Sequence, residues 1–306
     1  MGSAESLEKL LGPEIRFNVP LAPLSTMGVG GLASFFYQAR RTEELIKALK
    51  LFSARNVNFH VIGGGSNVII DDRGLNGLVI STLSCDQMEI RVEDDTVFIL
   101  ADAGVQMKRL LAFAVTNGFS GLEFAIGLPG TLGGALYGNA GVRESVISDV
   151  VSWIETYDSP GEIRRRSREE LKWGYRYSEL SDESGMITRC CLKLKRSTPG
   201  QVKELARSYW KKRVHQPYGY KSAGCVFRNP YGYSAGRLLE KCGCKGLKEG
   251  NAQVSQFHAN FIVNLGGASF MDILKLMRKC RCRVMDNFGI SLCPEVSILS
   301  ENDFQI

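Results

Sequence analysis

Gly63, Gly64 and Gly65 are followed by Ser66 and Asn67, with Val61-Ile62 before them and Val68-Ile69-Ile70 after. Three successive residues without a Cβ leave their N–H groups unshielded, so the amides can converge on an anion such as a pyrophosphate. A tight hairpin needs one or two glycines at positive φ and gives no reason for a third, or for the Ser-Asn pair. Taken alone, the loop fits either reading. A second stretch, Gly121 to Gly141, has six glycines between residues 127 and 141 and favours a ligand. Gly127, Pro129, Gly130, Thr131, Gly133, Gly134, Asn139, Ala140 and Gly141 suit a backbone wrapped closely around something flat and extended, with Thr131 and Asn139 as polar contacts. Close helix packing explains Gly133, Gly134 and Ala135 but not the Pro129-Gly130 turn before them.

The elements around these loops decide which nucleotide fold is possible. Residues 58–62 and 68–70 are β-branched runs, so the three glycines join strand to strand. A dinucleotide-binding Rossmann unit needs its glycines to open a helix of about a dozen residues, and that unit is excluded. Thr42-Glu43-Glu44 opens a helix with a hydroxyl cap and Leu45, Leu49 and Phe52 on one face. Strands are expected at 78–81, 88–92, 96–101, 150–157 and 188–195, with a helix over 106–117 that Gly118 ends. From Thr198 the texture changes: a basic helix over 201–214 stops at Pro217, and a Ser269/Asp272 capping box opens a last helix ending near Gly289. The fold class is therefore α+β. One mixed region is expected up to about residue 197, with 198–290 as a second module and 291–306 as a closing segment containing a strand.

Bulk properties narrow the function classes. A chain of 306 residues exceeds the usual size of one domain, and 44 % apolar with 23 % charged residues is ordinary globular composition. The net charge of +6 is dispersed, and the run Arg164-Arg165-Arg166-Ser167-Arg168 meets Glu169 and Glu170 at once. That pattern reads as a solvated face and suits a small anionic ligand, not nucleic acid, for which no basic stripe interleaved with aromatics is present. Nine cysteines without a preceding signal-peptide core read as reduced thiols in a cytoplasmic protein. Cys242/Cys244 and Cys280/Cys282 have C-x-C spacing, too close for the usual zinc site, so no metal is expected. Met1-Gly2-Ser3-Ala4-Glu5-Ser6 fits the short myristoylation pattern, which arises often by chance, and no apolar run is long enough to span a membrane.

Eight ordered blocks then resemble one family. They are Ser25-Thr26-Met27-Gly28-Val29-Gly30-Gly31, the Gly63–Asn67 loop, the Gly127–Gly141 run, Trp173-Gly174-Tyr175-Arg176-Tyr177-Ser178, Ser222 to Pro230, Ala235–Glu240 with Lys245-Gly246-Leu247, Gln253-Val254-Ser255 with His258–Phe261, and Pro294-Glu295-Val296. Over roughly residues 16–299 the chain resembles the UDP-N-acetylenolpyruvoylglucosamine reductases, the MurB-type UDP-N-acetylmuramate dehydrogenases of peptidoglycan synthesis, in their shorter type II branch. The resemblance implies FAD held by the first two-thirds of the chain, in the fold shared with vanillyl-alcohol oxidase and p-cresol methylhydroxylase. NADPH would reduce the flavin. Hydride from flavin nitrogen 5 would then reduce the enolpyruvyl double bond of a UDP-sugar, in a cytoplasmic and monomeric enzyme.

The same resemblance marks Arg176, Cys225 and Glu295 as catalytic. Hydride addition beside a carboxylate builds negative charge, which calls for a fixed cation and a proton donor. A guanidinium fork at Arg176 suits the first role. Cys225 stands where the family commonly has serine. A thiol of pKa about 8.5 is mostly protonated at neutral pH and keeps the donor role. Glu295 would polarise the substrate carboxyl or position Arg176. Tyr175, Lys221, Arg228 and Asn229 are the expected UDP-sugar contacts. The chain departs from the pattern at Gly28 and Ser297, where basic residues are frequent. Two alternatives stay open: another flavin oxidase of the same fold, and a nucleotide-binding regulator that has lost the chemistry.

Overall fold

The computed structural model describes residues 14–54, 59–158, 161–183, 185–302 and 304. The myristoylation pattern, and Asn58 of the first expected strand, lie outside the described residues. The chain divides into two compact units. One takes the described residues up to Arg16, Phe36–Gly64 and Gly77–Val214; the other takes Phe17–Phe35, Gly65–Asn76 and the described residues from His215 on.

In the first unit an antiparallel sheet carries the strands Glu162–Ser167, Val151–Asp158, Met186–Arg196, Thr96–Asp102 and Met88–Glu93 in that order, and Phe119–Ser120 pairs with the end of Met186–Arg196. Alternation along Thr96–Asp102 buries Val97, Ile99 and Ala101 in a core that also takes Leu110, Leu132, Ile154, Leu192 and Leu194. Helix α1, Thr42–Ser53, buries Leu45, Leu49 and Phe52 as expected. The expected hydroxyl cap is corrected: Arg41 is the N-cap and Thr42 the first helical residue, while the Glu44 carboxylate accepts the Arg40 N–H at 3.1 Å and satisfies the entry turn instead. Helix α2, Met107–Asn117, ends at Gly118 with φ 69°, the left-handed stop read from the sequence. Helix α3 is the short segment Leu132–Tyr137.

Helix α4 runs Pro199–Lys211, with Pro199 in its first turn and the Thr198 hydroxyl accepting from Gln201 N. Pro217 is not its stop. The Lys212 and Arg213 N–H groups bond three residues back, to Tyr209 and Trp210, which tightens the end, and the Arg213 side chain turns inward to donate to Phe124 O at 3.4 Å.

The second unit is built on a four-stranded antiparallel sheet in the order Lys221–Cys225, Phe261–Asn264, Ala252–Val254, Lys248–Glu249. Helix α5, Ala235–Lys241, and helix α6, Phe270–Phe288, pack there through Leu238, Leu239, Ile273, Met277, Cys280 and Val284. The Ser269/Asp272 box is formed from both sides, and Gly289 closes α6 at φ 65°. Cys280 is buried and Cys282 exposed on this helix, as i and i+2 positions point apart. The C-terminal strand Ser297–Leu299 pairs in parallel with Val68–Ile70. No helix among the described residues is long and apolar enough to cross a membrane.

Candidate active site

Within the first unit the two glycine loops touch. The strand Phe59–Ile62, parallel to Leu75–Ser81, delivers Gly63 and Gly64 against the Pro129-Gly130-Thr131 turn. A Cβ on Gly63 would stand 2.3 Å from Thr131 Oγ1, and one on Gly64 would stand 2.6 Å from Gly130 Cα. No Cβ fits at either distance, so Gly63 makes room for the Thr131 side chain and Gly64 lets main chain approach main chain. A cavity of about 310 Å³ opens beside the contact, lined by Gly64, Leu83, Gln106, Lys108, Leu128, Pro129 and Gly130. Its walls combine bare backbone, three apolar side chains and one ammonium.

The first turn of α2 faces the same cavity. Gln106 is the N-cap residue of that helix, and its backbone bridges Thr131. Met107 N donates to Gly130 O at 3.0 Å. The positive end of a helix and the Lys108 charge thus converge on one wall, an arrangement that attracts phosphate. An FAD fits this chemistry: bare amides and a cation for its diphosphate, and Leu83, Leu128 and Pro129 for a flat ring.

The remaining residues of the second glycine stretch hold elements in place. Thr131 is buried and its hydroxyl accepts from Gly134 N, capping α3. Gly133 N donates to Ala103 O at 2.8 Å, and a Cβ there would meet Ala103 Cβ at 2.9 Å. The Asn139 amide donates to Gly174 O and accepts from Ser148 N, with φ 43° at its own backbone. Ala140 bonds through N to Ala135 O and through O to Ile147 N. A Cβ on Gly141 would collide with Ser145 O at 2.4 Å, whereas one on Gly134 would meet nothing nearer than 3.7 Å. Gly127 has φ 71°, a turn before the cavity wall begins.

Arg176, in the same unit, sits at the tip of a two-residue hairpin. Trp173–Gly174 pairs with Tyr177–Ser178, leaving Tyr175 and Arg176 as the turn. Arg176 has φ 53°, a left-handed conformation that costs a non-glycine residue about 1–2 kcal/mol. Its guanidinium lies 5.4 Å from the Tyr175 ring, and Asn139 braces the base of the hairpin through Gly174 O.

In the second unit Cys225 ends the strand Lys221–Cys225, after a register shift where Gly224 takes φ 77°. The chain beyond it is gripped on both edges. Val226 N donates to Asn260 O; the Asn260 side chain accepts from Phe227 N at 3.0 Å and donates to Phe227 O at 2.8 Å. On the other edge Arg228 N donates to Cys293 O, Phe227 bridges Pro294, and Glu295 N donates to Val226 O at 2.8 Å. Glu295, seventy residues beyond Cys225 in sequence, is thereby paired with Val226, the residue that follows Cys225, and both Cys225 and Glu295 are half-buried.

Asn67 completes that support. Its amide donates to Glu295 O at 3.2 Å, and its carbonyl accepts from Ser297 N at 2.9 Å. Gly65, with φ 59°, lies on the Leu24 carbonyl, and its own carbonyl takes both the N–H and the hydroxyl of Thr26. The same hydroxyl reaches Ser222 O at 2.7 Å, tying this loop to the Cys225 strand. Ser66 is half-buried beside it. The Lys221 chain lies over Gly28, its Cδ 2.9 Å from where a Cβ would be. Asn229 accepts from Ala235 N at the start of α5, and Arg228 is exposed.

Sequence reasoning passed over Gln106, Lys108 and Leu83 at the cavity, and Thr26 and Asn260 at the ladder. Lys108 carried a usable signal: a lysine in the first turn of a helix opposes the dipole and needs a reason. Asn260 had none of its own, because an asparagine between Ala259 and Phe261 reads as a strand-end residue until its partner Phe227 is known.

Residues 33–167 match the family model of the FAD binding domain, and residues 216–299 match that of the C-terminal domain of UDP-N-acetylenolpyruvoylglucosamine reductase. A UDP-N-acetylenolpyruvoylglucosamine reductase of Carboxydothermus hydrogenoformans is 37 % identical over 97 % of this chain and 98 % of its own length. One from Synechococcus sp. is 39 % identical over 98 % of this chain and 96 % of its own. The crystal structure of UDP-N-acetylenolpyruvylglucosamine reductase (MurB) from Thermus caldophilus superposes with a TM-score of 0.81 at 34 % identity, covering 94 % of this chain and all of that one.

Proposed function

The chain belongs to the UDP-N-acetylenolpyruvoylglucosamine reductase (MurB) family and carries its FAD-binding domain; on that premise we propose that it reduces the enolpyruvyl group of a UDP-sugar to the lactyl group of UDP-N-acetylmuramate, with NADPH as reductant. It would serve peptidoglycan synthesis as a cytoplasmic monomer. Residues 1–84 and 85–197 are assigned to the flavin and 198–290 to the substrate, with 291–306 closing on the substrate strand; these are functional runs of sequence, distinct from the compact units.

Gly63, Gly64, Leu128, Pro129, Gly130 and Lys108 would hold the flavin, and support comes from a cavity whose backbone wall excludes any Cβ. Once bound, the flavin supplies the hydride received from NADPH. The Arg176 guanidinium holds the substrate carboxylate and opposes the charge that grows there. Cys225 gives its thiol proton to the carbon next to the one reduced, and Glu295 orients the carboxyl group. Lys221, Arg228, Asn229 and Tyr175 meet the UDP moiety.

The single observation that supports the reading is the backbone ladder that joins the two segments carrying the proposed acid and carboxyl: Glu295 N donates to Val226 O, the residue after Cys225, and Phe227 bridges Pro294. The left-handed φ of Arg176 adds to it, since strain on a non-glycine residue persists where the surroundings hold it and concentrates at functional sites. The test is a comparison of half-reactions. In Cys225→Ala, anaerobic bleaching of the flavin by NADPH stays near native while reoxidation by the enolpyruvyl sugar slows by about 10²- to 10⁴-fold. Cys225→Ser retains measurable turnover. Equal slowing of both half-reactions refutes the proton-donor role, and a colourless protein that takes up no FAD refutes the whole reading.

A further inference from the structure

Tyr220 and Phe257 leave large rings in solvent, 49 % and 59 % exposed, with centroids 6.2 Å apart and planes at 43°. Neither sits on a loose loop. Tyr220 immediately precedes the strand Lys221–Cys225, which pairs with Phe261–Asn264. Phe257 projects from a braced turn: its N–H donates to the Ser255 hydroxyl, Ser255 N donates to Phe261 O, Phe261 N donates to His258 O, and Asn260 N donates to His258 Nδ1. Two fixed aromatic faces held half in water form a stacking platform in want of a flat partner.

The strand works as a ruler. From Cys225 to Lys221 it spans about 13 Å at roughly 3.3 Å per residue, and Tyr220 comes one residue further on. Reading away from the reacting double bond, a UDP-sugar presents its sugar, its diphosphate and then its uracil. Along the strand the order is thiol, ammonium and aromatic pair. We propose that Tyr220 and Phe257 form the platform on which the uracil of the nucleotide sugar stacks, making them specificity-determining residues for a planar base attached to the diphosphate that Lys221 meets. The assignment rests on the substrate proposed above.

Calorimetric titration of the FAD-loaded enzyme with UDP, with inorganic pyrophosphate and with 2′-phospho-ADP-ribose tests it. In Tyr220→Leu and Phe257→Leu, UDP affinity falls about tenfold each, the scale of one lost base–aromatic stack, and pyrophosphate affinity is unchanged. Tyr220→Phe restores UDP binding, and native flavin content with native melting temperature shows that the variants fold. Unchanged UDP affinity in the folded leucine variants overturns the platform. So does a loss confined to 2′-phospho-ADP-ribose, which would assign the rings to the base of NADPH. Failure of the native enzyme to bind UDP at all is a separate outcome, needs no variant, and removes the UDP-sugar reading with the platform.

Discussion

A methyl group on Gly64 would stand 2.6 Å from the backbone of Gly130, while one on Gly224, next to Cys225, would meet nothing within 4 Å. The proposed flavin side is shaped by what is missing: residues without side chains let two loops close on each other and leave a wall of main chain. The proposed substrate side is shaped by added groups, the Asn260 and Asn67 amides, which grip the main chain at Phe227 and Glu295. Geometry made by omission fails when anything is inserted; geometry made by gripping fails when the grip is removed.

Gly64→Val should show the largest effect. The overpacked contact costs about 1–3 kcal/mol, and the purified protein loses its flavin absorbance. Asn260→Ala comes next. It strips both partners from the Phe227 main chain and costs about 2 kcal/mol, but it leaves the flavin bound and slows only reoxidation by substrate, as stopped-flow absorbance would record. A loss of flavin in Asn260→Ala would dissolve the distinction between the two sides. Lys108→Ala weakens FAD binding about fivefold by fluorescence titration of the apoprotein, since one exposed charge at a helix start contributes only modestly.

A pH effect falls on the substrate side. Burial, and then the charge of Lys245, holds His258 below its usual pKa, and its Nδ1 accepts a bond from Asn260 N. A base whose folded pKa is depressed contributes stability that is complete above about pH 6.5 and is lost as pH falls through that window. The melting temperature should therefore drop on acidification below pH 6.5, and His258→Gln should flatten the profile between pH 7.5 and 5.5 while leaving flavin content untouched. The smallest effect is Gly134→Ala. The nearest atom to its Cβ lies 3.7 Å away, so flavin is retained and the short helix gains a few tenths of a kcal/mol.

What could be read beforehand follows the same division. Strand-to-strand passage through Gly63–Gly65, the Gly118 and Gly289 stops and the Ser269 box were legible, because each depends on a residue and its near neighbours. In the second glycine stretch Leu128, Pro129 and Gly130 line the cavity, and the packing of Gly133 on Ala103 and of Gly141 on Ser145 was not legible, because periodicity does not connect those positions. The pairing of Val226-Phe227 with Pro294-Glu295 is a matter of distant register, and resemblance alone pointed to these segments together. The end of α4 was missed because Arg213 folds back on Phe124, a tertiary choice that overrides the reach of the helical pattern.

The parallel partnership of Val68–Ile70 with Ser297–Leu299 has a consequence for the order of biosynthesis. Among the described residues this short strand has a single ladder partner, and the Asn67–Glu295 bond beside it links residues 228 positions apart. A nascent chain must therefore carry Val68-Ile69-Ile70 as a bare hydrophobic edge through most of its translation, a window in which such edges recruit one another. Residues 297–299 shield that edge, so a chain that stops short of them leaves it open and prone to aggregate.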